Sequence, residues 1–179
     1  MSRRVRLIVE CEDALHRSFA TRFLRGVGIP EGKDPEINIR NGKAGVLDHV
    51  AAQVRAVRET HAAAHLIVLV DGDNWKEERT LDEVNRRLAA SNLVPLAPSD
   101  RVLLVVVGRR MDTWVRHLRG ETVDEIDNPG HKLADDSVGR GAASVLAEHC
   151  RNRRPLDDPL PSLATVCGDW QAYCARHGL

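Results

Sequence analysis

Short apolar runs alternate along the chain with longer amphipathic stretches, and the two periods divide it into strands and helices. Residues 5–9 (VRLIV) form a β-branched run that Glu10 closes. Behind it, Leu15, Phe19 and Phe23 recur at i, i+4 and i+8 and predict a helix. Glu12 and Asp13 open that helix, where acids complement its dipole, with contact of either to a metal as an alternative, and Gly26 and Gly28 end it. Residues 35–40 (PEINIR) alternate and predict a second strand; the turn at residues 41–45 (NGKAG) leads to a helix marked by Val46, Val50, Val54 and Val57. Residues 66–70 (LIVLV) and 102–107 (VLLVVV) are apolar throughout, as strands covered on both faces are, with a helix over residues 77–93 between them. This β-α-β-α-β-α-β order predicts an α/β fold: a four-stranded, mainly parallel, doubly wound sheet with right-handed crossovers. Helices are expected over residues 112–118, 141–150 and from Pro161 onward, the last two as a helical C-terminal cap.

The 179 residues suit one domain, with a core over about residues 3–120 and an extension over about 139–179. Twenty-six basic residues balance 26 acidic ones, so net charge supplies no bulk attraction to nucleic acid; arginines in the second half leave room for a local basic face. Aromatics at 3% argue against a base-stacking platform. Cys11, Cys150, Cys167 and Cys174 form no CxxC pair, which predicts a reduced, cytoplasmic protein. No apolar run is long enough to span a membrane. His61 and His65 stand at i, i+4 but lack a third ligand nearby.

The chemistry concentrates where strands end. In an open parallel sheet, ligands gather beyond the carboxyl ends of the strands, at the point where strand order reverses. Glu10 ends the first strand and Asp71-Gly72-Asp73 the third, so three carboxylates are expected on one rim. Such a group repels itself unless a cation or proton intervenes. Hard oxygen ligands suit Mg²⁺ or Mn²⁺ and phosphodiester chemistry with a metal-activated water. The plainer reading of Asp-Gly-Asp-Asn is turn chemistry after a strand.

Val9-Glu10 after a first strand and VDGD (residues 70–73) after a third resemble the Toprim domain of topoisomerases, primases and OLD-type nucleases. RRMDTW (109–114) and VDE (123–125) are similar to small stand-alone Toprim-like proteins of prokaryotes, some of which act against phages and plasmids. The resemblance covers roughly residues 5–132 and implies a Mg²⁺-dependent enzyme that makes or breaks phosphodiester bonds, with Glu10, Asp71 and Asp73 as its acids. Two positions depart from the pattern: Cys11 replaces the usual glycine, and Asp112 a usual glutamate.

Around that core, Asp112 is a candidate for a second metal ligand or a helix N-cap. Arg109, Arg110 and Lys43 are candidates for phosphate contacts, and Lys132, with His131 as an alternative, for charge neutralisation or proton transfer during catalysis. Trp75 either meets substrate or packs on its own domain, and Trp114 and Trp170 are expected in the core. The leading expectation is a metal-dependent nuclease acting on DNA more readily than RNA, in phage or plasmid defence. The resemblance also implies a separately encoded ATPase partner, since no Walker motif occurs. Two alternatives compete: a non-catalytic Toprim-like sensor or partner subunit, and a HAD-like phosphatase with Asp71 as nucleophile. The latter leaves Glu10 without a role.

Overall fold

The computed structural model describes residues 5–29, 35–60, 64–73 and 77–179. His61 and Trp75 lie outside these. Strand β1 (Arg6–Cys11) leads to helix α1 (Ala14–Gly26), β2 (Glu36–Ile39), α2 (Lys43–Glu59), β3 (Ala64–Asp71), α3 (Glu77–Ala90) and β4 (Val102–Val107). Helices α4 (Met111–Leu118), α5 (Gly139–Asn152) and α6 (Pro161–His177) follow. The four strands are all parallel in the order β2-β1-β3-β4. Chain order therefore reverses between β1 and β3, which makes their carboxyl ends the crevice of the sheet.

Strand alternation sorts the side chains into two cores. Leu7, Val9, Cys11, Ile67 and Leu69 face α1, α4, α5 and α6, while Ile8, Val68 and Val70 face α2 and α3. The C-terminal helices are integral to the first core, supplying Leu146, Leu163, Trp170 and Tyr173 beside Phe19, Phe23 and Trp114. Small residues of α5 let α1 approach: a Cβ on Gly26 would stand 2.6 Å from the Ala147 Cβ, and Ala142 and Ala143 are fully buried. No helix among the described residues is long and apolar enough to cross a membrane.

Three local expectations change. Helix α2 begins at Lys43, because Gly42 takes φ 103° as its N-cap, so the expected turn ends earlier. Asp13 is the N-cap of α1 and Glu12 precedes it, so neither acid belongs to the first turn. Cys150 and Cys167 form a disulfide across a separation of 17 residues, against the expectation of a fully reduced protein. That closure ties α5 to α6 and stabilises by about 3 kcal/mol in the chain-entropy account.

Candidate metal centre

At the β1/β3 crevice, Glu12, His16 and Asp71 offer ligand atoms that all lie within 4.8 Å of one another. Each arrives from a different local cause. Asp71 is the last residue of β3, on the α1 side of the sheet, and its Oδ1 accepts from the Met111 N–H at 2.8 Å. The carboxylate thus sits at the positive end of α4. Glu12 lies between β1 and α1, and its Oε1 accepts the backbone N–H of Asp71 at 2.7 Å. His16 lies one turn into α1 and is 1% exposed.

Both ring nitrogens of His16 are held by carboxylates: Nδ1 lies 2.8 Å from Asp13 Oδ1 and Nε2 2.9 Å from Asp71 Oδ1. Asp13 Oδ1 also caps the helix by accepting from the His16 backbone N–H at 3.0 Å. A carboxylate on the far nitrogen is how metal-binding histidines are oriented. Burial opposes a charged imidazole, but hydrogen bonds to Asp13 and Asp71 and their charges outweigh it, so the His16 pKa rises to about 10. Burial, then the charge of Asp71, pushes the Glu12 carboxyl up to about 7. Partial burial works against ionised Asp13, yet His16 brings its pKa down to about 2. Without a cation, proton-bearing groups thus relieve the repulsion among these acids. The group can hold a metal ion.

Lys43, at the start of α2, donates from Nζ to the Gly72 carbonyl at 3.3 Å and stands 3.9 Å from Asp73 Oδ2. A cationic side chain and a helix N-terminus therefore adjoin the acids, the arrangement that anion sites use. Burial lowers the Lys43 pKa, against the acids of this rim.

The other expected site residues are dispersed. Glu10 pairs in register with Val68, three residues short of Asp71, and alternation turns it to the opposite face. There it is fully buried, accepting from Asn38 Nδ2 at 2.9 Å and from Arg40 Nε at 2.5 Å and Nη2 at 3.1 Å. Asp73 takes a left-handed φ of 53° and leaves its side chain 58% exposed. Asp112 is the second residue of α4, not its N-cap; buried, it accepts the Leu133 N–H at 2.5 Å. Arg110 donates to the Gly130 carbonyl at 2.7 Å, and Arg109 to that of Asp73 at 3.4 Å. His131 and Lys132 are exposed. Trp114 and Trp170 are core residues, as expected.

His16 is the residue that sequence reasoning passed over. Its signal was local: Asp13 is a helix N-cap with His16 three residues later, and Glu12 stands just before them. Comparison of the chain with protein-family models, curated proteins and solved structures gave no match.

Proposed function

We propose that this chain is a divalent-cation-dependent phosphodiester hydrolase acting on nucleic acid, with Glu12, His16 and Asp71 as the cation's protein ligands. The observation behind this reading is the convergence of these three ligand atoms within 4.8 Å at the switch point of the sheet. A donor set of two carboxylates and one imidazole favours Mn²⁺ over Mg²⁺, because imidazole is a poor partner for the harder ion. A bound cation supplies an activated water and neutralises phosphate charge. Lys43 adds a fixed positive charge next to Gly72, and Asp13 keeps the His16 ring oriented. Glu10 is a structural residue in this scheme, and Asp73 a rim residue beside Lys43.

Calorimetric titration with Mn²⁺, followed by cleavage assays on plasmid and single-stranded substrates, tests the proposal. Saturable Mn²⁺ binding is expected, lost in Asp71→Asn and weakened at least about tenfold in Glu12→Gln, the loss that even indirect partners of a metal cause. Cleavage is expected to disappear with binding in Asp71→Asn, while Asp73→Asn keeps most of it. Absence of Mn²⁺ binding in the folded wild type would reduce the group to a hydrogen-bonded lock joining β3, α1 and α4.

A further inference from the structure

The two edges of the sheet are built differently. Strand β2 covers only Glu36–Ile39, and Glu36 carries an ion pair with Arg6 at 2.5 Å; a short, charged strand is how natural sheets blunt an edge. The opposite edge, β4, runs as VLLVVV with no charge, proline or glycine, and Val102, Leu103, Leu104 and Val105 are only partly buried. The carbonyls of Arg101, Val107 and Arg109 accept from Leu66, Gly72 and Asp73, so the odd-numbered residues turn their backbone groups toward β3. The N–H and C=O groups of Val102, Leu104 and Val106 then point to the open side, and among the described residues nothing bonds to them.

Beside this edge lies an apolar cavity of about 70 Å³, reaching from β4 under α6. Leu103, Val105, Trp114 and Val166 contribute its apolar wall; Glu77 and Asp169 are the ionisable residues of its lining. Neither acid has an ion-pair partner among the described residues, and they repel each other: burial first, then Asp169, raises the Glu77 pKa.

We propose that the β4 edge docks an extended segment of another protein, which adds a strand to the sheet, places an apolar side chain in the cavity and sets a lysine or arginine against Glu77 and Asp169. Strand addition supplies main-chain hydrogen bonds for affinity and alternate side chains for specificity. The acids decide between occupants. A second copy joined edge to edge would bring its own Glu77 and Asp169 to the same seam, acid against acid, whereas a cationic strand relieves the existing repulsion. This surface is independent of the metal centre and stands or falls separately from it.

The test uses short blocked peptides alternating valine with lysine or valine with glutamate, titrated into ¹⁵N-labelled protein. Saturable amide shifts are expected at Val102, Leu104 and Val106 with the lysine peptide, and none with its backbone N-methylated form. Asp169→Lys should weaken the lysine peptide by about tenfold and favour the glutamate one. Leu104→Pro removes an outward N–H while the bonds of neighbouring residues to β3 persist, a substitution edge strands tolerate, and should abolish binding. Equal binding by the N-methylated peptide, indifference to Asp169→Lys, or no saturable shift with the lysine peptide overturns the proposal. So does a wild-type dimer in sedimentation that Leu104→Pro dissolves, which would assign the edge to a second copy.

Discussion

Glu10 and Glu12 stand two residues apart, are both buried, and live in opposite electrostatic worlds. Glu10 belongs to β1, points toward the α2 face and is closed off by Asn38 of β2 and Arg40 just past it. Glu12 lies just past the strand, faces α1 and has acids as its neighbours. One carboxylate already has its cation inside the fold; the other has acids beside it and the buried His16 to offset them. Position at the end of a strand is therefore a poor guide to function. What decides is which face the side chain enters and whether the adjoining strand brings a positive charge.

The largest expected effect comes from breaking the satisfied pair. Arg40→Leu leaves Glu10 buried without its counter-charge, which costs about 3–5 kcal/mol in comparable cases. Chemical denaturation should show that loss as a lower midpoint. The double substitution Glu10→Leu with Arg40→Leu should recover most of it, since an apolar pair of similar size avoids desolvating either charge. Gly45 belongs to the same construction: a Cβ there would stand 1.9 Å from the Arg40 carbonyl oxygen, so only glycine lets α2 start this close to β2. Mn²⁺ affinity is expected to survive the double substitution, because Glu10 opens on the other side of the sheet. Loss of Mn²⁺ binding in that variant would return Glu10 to the metal centre.

The pattern of apolar runs was enough for the sheet and its helices, since β4 and the buried part of β3 are uninterrupted and the crossovers are short. It also placed Asp71 at the crevice. It gave the rim to Glu10 and left Glu12 an alternative, for a geometric reason: register puts Cys11 level with Leu69, so the rim opposite Asp71 is reached two residues after β1 ends, beyond Glu10. Arg40 was legible only as the end of a strand, because nothing local shows that β2 lies beside β1. The disulfide is a tertiary fact of the same kind, since Cys150 and Cys167 meet only when α6 folds back on α5.

A second difference, between the two ends of the sheet, is how they respond to pH. His16 has a folded pKa of about 10, above the ordinary histidine value, because Asp13 and Asp71 hold its charged form despite burial. Its contribution is fully present below about pH 6.5 and is lost as pH rises toward 10. His65, at the other end of β3, behaves oppositely. Burial first, then His177 and Arg101, lowers its pKa to about 4, and Nδ1 lies 3.0 Å from the Tyr173 hydroxyl. Its contribution is lost as pH falls from 6.5 toward 4. Denaturation midpoints measured with chelator present should decline on the alkaline side in wild type, and His16→Gln should flatten that limb alone. An unchanged alkaline limb would mean that His16 is neutral in the folded protein.

The smallest effect is expected at Glu12, and its smallness is informative. Near neutral pH the folded protein leaves this carboxyl, raised to about 7, only partly ionised, because ionising it beside Asp71 is unfavourable. Glutamine retains an oxygen that can accept the Asp71 N–H and removes the repulsion. Glu12→Gln should therefore change stability little near pH 4.5, with a gain that grows as pH rises toward 8. Arg40→Leu, at a site only a few residues away in β1's surroundings, costs several times more. A Glu12→Gln variant as damaged as Arg40→Leu would show that ionised Glu12 holds the fold together in the way Glu10 does. A stable variant that no longer binds Mn²⁺ would show the reverse: a carboxylate that the fold tolerates and the cation needs.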